Sequence, residues 1–258
     1  MSHRPSFLTV YTVALIVFLF PPVLTIVLFS FDRAGVGTFP IEGLKLDWYR
    51  ELGDDDAIRS AAVNSAMVAA ACAVVTVVLG TAAAFALTRY RLKLSGGVTV
   101  LLALPLMLPG LLVGIALLSF FDWINLPLSM LTVTIGHVLV TLPFVVLTMN
   151  ARLAGFDPAV EEAARNLGAT PLQTFRHVTF PLIRASVIGS GLLVAALSLD
   201  EFIVTFFTIG ADNTLPTVIW GQMRRGVSPT VNAISTLMLV ATLLLMVAAR
   251  RFTDVRVR

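Results

Sequence analysis

The chain has 258 residues, 57% of them hydrophobic and only 13% charged, about half the charged share of a typical soluble domain. The hydrophobicity comes in long uninterrupted blocks, which excludes an ordinary soluble globular domain. The formal charge of +3 is scattered in short clusters between those blocks. That pattern suits membrane orientation and excludes a nucleic-acid binder.

Six segments are predicted to span a membrane. The first runs from about Phe7 to Ser30. Arg4 precedes it as in a secretory signal, but the apolar run to Phe31 is too long and no A-x-A-like site closes it. It is therefore expected to stay as an uncleaved first helix. The second span covers about Ala61–Leu87, the third Val98–Phe121 and the fourth Ser129–Met149. The fifth covers about Ala185–Ile209 and the sixth Val231–Ala249. Each can cross a core of ~30 Å at ~1.5 Å per residue. Backbone groups in lipid must be satisfied internally, so the spans are expected to be helices. None has the short alternating pattern of a membrane β-barrel. The fold class is an all-α membrane protein, expected as a single transmembrane domain over residues 1–258.

Lysine and arginine set the orientation. With six spans, Arg4, Arg89, Arg91, Lys93, Arg152, Arg165, Arg176, Arg184, Arg250, Arg251, Arg256 and Arg258 share a side with both termini. The other side holds Arg33, Lys45, Arg50, Arg59, Arg224 and Arg225. Twelve against six makes the termini cytoplasmic. The first external segment, Asp32–Ser60, is acidic, Glu42 among its carboxylates. Its Leu46–Arg50 stretch reads as a short interfacial helix because Trp48 and Tyr49 favour the headgroup level. Pro21, Pro22, Pro105, Pro109 and Pro143 fall inside spans, where ordinary bending accounts for most of them. Cys72 is the one cysteine, so no internal disulfide forms, and it reads as a small packed hydrophobe.

The cytoplasmic segment from about Asn150 to Arg184 is too polar to span. Asp157 is placed to cap a helix Pro158–Leu167 with Pro158 at its first position. Gly168 suits the left-handed position after that helix. Thr170, Pro171 and Gln173 give a second helix an N-cap, a first residue and a capping box, and Pro181 limits its far end. Two short helices meeting at Gly168, with Ala163, Ala164, Leu172, Phe175 and Val178 as apolar or small side chains, form a candidate docking element. A loop packed on its own bundle is the plainer alternative.

The fifth span carries Asp200 and Glu201. An acid at that depth costs at least ~2.5 kcal/mol and is a functional candidate. Neighbours on a helix point ~100° apart, so the two cannot face one narrow lumen together. Contact with a cationic solute and a structural polar contact both remain open. His137 reads as a packed or hydrogen-bonded histidine, and Asn64 and Ser65 as openers and caps of the second span. His177 has no partner legible in the sequence, and Arg224 and Arg225 read as solvated or at lipid headgroups.

Glu162-Ala163-Ala164, then Gly168, then Val178-Thr179-Phe180-Pro181 resembles the EAA loop of ABC importer permeases. The spacing matches throughout, with Val178 and Phe180 in place of Ile and Leu. Asp47-Trp48-Tyr49, Asn64-Ser65, Ser198 to Phe202, Leu215-Pro216 and Gly226-Val227 to Ala233 are similar to the spermidine/putrescine-type subfamily. The resemblance implies the type I importer permease fold, in the bacterial inner membrane. It implies that Glu162, Ala163, Ala164 and Gly168 form the coupling contact with a cytosolic ATPase dimer, with Glu161, Ala169, Phe175 and Pro181 in the same element. It also implies a second permease subunit, a paralogue, and an external solute-binding protein. Alternating access driven by ATP would then carry the solute, with polyamines ahead of phosphonates, amino acids and iron. No cofactor is expected on this chain; ATP and Mg would be used by the ATPase. No Walker A, H-E-x-x-H or G-x-S-x-G pattern occurs, so the chain is not read as an enzyme. A stand-alone secondary transporter would leave the EAA match unexplained.

Overall fold

The computed structural model describes residues 7–33, 37–41, 43–89, 95–155, 157–226 and 228–253. Arg4, Glu42, Arg91, Lys93, Val227, Arg256 and Arg258, used in the charge and motif readings, lie outside these residues. No β-strand occurs among the described residues; one isolated antiparallel bridge joins Asp32 and Leu44. The contacts divide the chain into two compact units, residues 1–59 with 218–240 and residues 60–217 with 241–258.

In the first unit, α1 (Phe7–Leu19) and α2 (Pro21–Phe29) make up the first apolar span, with the proline pair opening α2 where its missing N–H groups cost nothing. No residue of either helix is buried. The expected interfacial helix is α3 (Asp47–Asp54). Its aromatic residues tie it to the end of α2: Trp48 Nε1 donates to the Asp32 carbonyl at 2.9 Å and Tyr49 Oη lies 2.7 Å from Ser30 Oγ. The Lys45 ammonium sits 3.7 Å from the centre of the Trp48 ring.

The second span is longer than its apolar run. Helix α4 covers Asp56–Arg89, 34 residues, or about 51 Å against a ~30 Å core. Its cap is Asp55, whose Oδ1 accepts from the N–H groups of Ala57 and Ile58. Asn64 and Ser65 therefore do not open the span. They lie inside α4, where Asn64 Nδ2 donates to the Asn213 carbonyl and Ser65 Oγ accepts from the Leu215 N–H.

The third expected span is not one straight helix. It is split into α5 (Ser95–Met107) and α6 (Gly110–Trp123), bent by 103°. Pro109 supplies the reason: it has no N–H to continue the ladder and it pushes Leu108 out of helical geometry. Pro105 stays inside α5 and Pro143 inside α7 (Met130–Ala154), so proline alone does not break these helices. Among the described residues, five helices or helix runs are long and apolar enough to cross a membrane, and the bent pair would make a sixth crossing.

Helix α7 is the axis of the second unit. Val145, Met149 and Leu153 on α7 pack with Cys72 and Ala84 of α4 and with Ile183 and Val194 further along the chain. After α8 (Ala159–Asn166), α9 (Pro171–Thr174), a π-helical turn (Phe175–Thr179) and α10 (Phe180–Asp200) form one continuous helical run. Pro181 therefore does not end the second short helix. With no N–H to give the carbonyl of His177, it is accommodated by the wider π turn, in which the Phe180 N–H reaches the Phe175 carbonyl. The run stops at Asp200, nine residues before the expected Ile209, and a short α11 (Ile203–Thr208) follows. Between α11 and the last apolar helix lies α12 (Leu215–Met223), and the last span is α13 (Pro229–Thr253).

Candidate coupling elbow and translocation-path residues

The elbow between α8 and α9 is closed by local hydrogen bonds. Asp157 Oδ1 accepts from the Ala159 N–H at 2.9 Å. At the other end of α8 the Gly168 N–H reaches the Arg165 carbonyl and the Ala169 N–H reaches the Ala164 carbonyl. These two bonds form the Schellman closure, and Gly168 adopts the φ of +90° that it requires. The Thr170 N–H donates to Gln173 Oε1 at 2.8 Å while Thr170 Oγ1 accepts from the Gln173 N–H at 3.3 Å. The backbone of the turn is thus largely satisfied from within.

A second set of bonds fixes the elbow to the bundle. Glu161 is only 4% exposed. Its carboxylate pairs with Arg89, the last residue of α4: Nη2 donates to Oε1 at 3.3 Å, and Nε lies 3.1 Å from Oε2 as an ion-pair contact without a hydrogen bond. Thr179 of the π turn donates to the same carboxylate at 2.8 Å. Glu161 therefore joins α8, the end of α4 and the start of the α10 run through one carboxylate, by an ion pair to Arg89 and hydrogen bonds from Arg89 Nη2 and Thr179. Phe175 packs edge-on against Phe85 of α4, ring centroids 5.9 Å apart, and against Phe180. Together with Val77, Val78, Thr81, Ala82, Ala86 and Val187 these rings line an apolar cavity of about 490 Å³. Pro181 lies in the first turn of α10.

What the elbow turns outward differs from what it holds inward. Glu162, Ala163 and Gly168 are exposed, and Ala164 and Ala169 are half-buried. Leu167 is 89% exposed and Leu172 75% exposed, and Val160 is also exposed. An apolar ridge beside a carboxylate, on a turn that cannot unravel without losing its caps, has the form of a helix-in-groove ligand.

Asp200 and Glu201 are brought to the end of a helix rather than its middle. Asp200 closes α10, is exposed, and accepts from Thr242 of α13 at 3.1 Å. Glu201 is extended, with ψ of 105°, and half-buried; its Oε1 accepts from the Val204 N–H of α11 at 3.0 Å. The two carboxylates thus part company, one toward open space and one onto the backbone. His137 is 1% exposed and bonds Ser198 through Nδ1 and Thr205 through Nε2, each at 2.7 Å. His177 Nδ1 lies 3.0 Å from the Gln173 carbonyl, one turn back along the run.

Arg89 and Thr179 as partners of Glu161, Ser198 and Thr205 as partners of His137, and Thr242 as the partner of Asp200 are not legible in the sequence. The charge pattern did place Arg89 and Glu161 on one side of the membrane, which was the available signal.

A bundle of apolar helices with a capped, protruding elbow between its fourth and fifth predicted spans is the membrane subunit of a multi-component importer. The chain belongs to the family described as binding-protein-dependent transport system inner membrane component, whose model matches residues 76–257. It is 37% identical over 232 residues to the putrescine transport system permease protein PotI of Escherichia coli K12, covering 87% of this chain and 82% of that protein. It is 32% identical over 237 residues to the spermidine/putrescine transport system permease protein PotC of Haemophilus influenzae, covering 92% of both. Its fold resembles a chain of a bacterial ABC transporter that imports alginate, with a TM-score of 0.74 and 14% identity over 98% of this chain and 95% of that one. It also resembles a chain of the inward-facing MetNI methionine ABC transporter, with a TM-score of 0.63 and 18% identity over 79% of this chain and all of that one. The chain is a multi-pass membrane permease subunit of an ABC importer, with a transport role rather than an enzymatic one.

Proposed function

We propose that this permease carries polyamines such as putrescine or spermidine inward, paired with a paralogous permease and served by an external solute-binding protein. ATP and Mg are used by a cytosolic ATPase dimer, and each ATPase grips an elbow of the form seen at Ala159–Gln173. The observation that carries this reading is the combination at the elbow. Leu167 and Leu172 stand exposed while Glu161, six residues before Leu167, is buried in a clamp to α4 and the α10 run. A force applied to the outer ridge would pass to two spans through one carboxylate, so the elbow can move only with the bundle.

The polyamine assignment is supported by the two relatives named above, and by Asp200, an exposed carboxylate at the end of a span. A polyamine offers ammonium groups that such an acid can meet. The basic residues favour both termini in the cytoplasm, counting the bent α5–α6 pair as one crossing, with the protein in the bacterial inner membrane.

The test is to tag the C-terminus, extract the protein gently from its native membrane and identify what co-purifies. An ATPase and a second permease are expected, both retained in the wild type, with the ATPase lost on Glu162→Arg or Gly168→Pro. Reconstituted with its binding protein, the assembly is expected to take up labelled putrescine only with ATP. A chain that purifies alone under several mild detergents yet still transports would overturn the reading.

A further inference from the structure

The run from Pro171 to Asp200 stops inside the bundle and restarts at Ile203, and the geometry of that interruption is held by groups far away in sequence. Glu201 is extended, so the helical ladder is cut between α10 and α11. Two of the freed groups are satisfied within the break itself. The Glu201 carbonyl accepts from Thr205 Oγ1 at 2.6 Å, and the Glu201 carboxylate accepts from the Val204 N–H. Nothing in those two bonds fixes the angle between the halves.

Helix α11 is instead seated on α7. A Cβ added at Gly136 would meet Val204 Cγ1 at 2.7 Å, so the glycine lets the two backbones approach. Thr132 of α7 donates to the Thr208 carbonyl at the end of α11 at 2.7 Å. His137, the next residue after Gly136, reaches both sides of the break: Ser198 in the last turn of α10 and Thr205 in the middle of α11. The proton placement follows from counting donors. The Thr205 hydroxyl already donates to the Glu201 carbonyl, so it accepts from His137 Nε2–H. Nδ1 is then the acceptor and the Ser198 hydroxyl its donor. A neutral imidazole with one donor and one acceptor on opposite edges meets both partners, which an apolar side chain of similar size cannot do.

We infer that His137 is a positioning residue, a staple across the α10–α11 break that aims Asp200 at the passing solute while Glu201 stays bonded to the break's own backbone. The inference rests on the importer reading above. His137 touches no solute in this account. It sets the angle at which Asp200 leaves the end of α10.

The test uses the complete reconstituted assembly with its binding protein and labelled putrescine as probe, reading KM and Vmax for uptake beside the amount of complex recovered. His137→Leu keeps the bulk and deletes both bonds; it is expected to raise KM on the order of 10-fold or more with the basal ATPase rate unchanged. His137→Gln offers one donor and one acceptor along a similar reach and is expected to stay within a few-fold of wild type. A purely structural histidine would lower the amount of complex, and so Vmax, and leave KM alone; that result overturns the inference. Equal loss in His137→Leu and His137→Gln overturns it as well. Should His137→Leu fail to assemble, Thr205→Val removes only the Nε2 partner and its bond to the Glu201 carbonyl at constant volume, and an unchanged KM there is equally fatal. A wild-type assembly that takes up nothing with ATP would instead break the importer reading itself, and the inference with it.

Discussion

The elbow between α8 and α9 and the break between α10 and α11 are both interruptions of a helical path, yet they are built from opposite materials. The elbow is closed by residues within a few positions of one another: Asp157, Gly168, Thr170 and Gln173. It shows its apolar side chains to the outside. The break bonds two of its own groups through Thr205 and Glu201, but it is tied in place by Thr132, His137 and Thr242, which come from two other spans. A turn that must present a constant shape to a separate protein is best made self-sufficient. A joint that must respond to the rest of the bundle is best wired to it.

The clamp on Glu161 is where the two designs meet, and breaking it has the largest expected effect. Glu161→Ala leaves Arg89 poorly exposed and without its carboxylate, an expected loss of ~3–5 kcal/mol. A thermal shift of the purified subunit measures it. Glu161→Gln retains an acceptor for Thr179 and is expected to lose less.

Overpacking the break comes next. Gly136→Val drives a side chain into Val204 and is expected to cost ~1–3 kcal/mol. Uptake should fall while ATPase binding at the elbow persists. If ATPase binding falls equally, the two regions are not as separate as described.

Gly168→Ala is sharper than the proline change because a Cβ there meets nothing within 4 Å. The whole cost, ~1–2 kcal/mol, is the left-handed backbone. Thr170→Ala removes one capping oxygen and is expected to cost ~1 kcal/mol. Both should weaken ATPase retention during purification and leave the KM for solute unchanged. Smallest in stability is Asp200→Asn, which keeps an acceptor for Thr242 and is expected to impair uptake with assembly intact.

These magnitudes also explain how much could be read from the chain alone. The elbow was legible nearly to the residue because capping chemistry is local: Thr170 and Gln173 are three positions apart, and Gly168 follows its helix directly. The spans were legible because a bilayer demands apolar length. The end of the fifth span was not. Val204, Phe206 and Phe207 continue the apolar run past Asp200, and hydropathy cannot register that Glu201 has turned its carboxylate onto the backbone. The 103° bend at Pro109 was likewise invisible, since Pro105 and Pro143 sit within helices that continue past them. Arg89 lies 72 residues from Glu161, and Ser198 and Thr205 lie 61 and 68 from His137, and no pattern in one sequence pairs residues at such distances.

The most direct test of the central claim uses the chain's one cysteine, Cys72, which is buried in the core. With Cys72→Ala as background, a cysteine is placed at Leu167 or Leu172 on the exposed ridge and, as a control, at Arg225 in the segment after α12. Native membranes are then treated with a short bifunctional thiol crosslinker. The account predicts an adduct between the ridge cysteines and a cytosolic ATPase, its yield changing when ATP is added, and none from position 225. Ridge cysteines that capture no ATPase under any nucleotide condition, in membranes that still import solute, would contradict it.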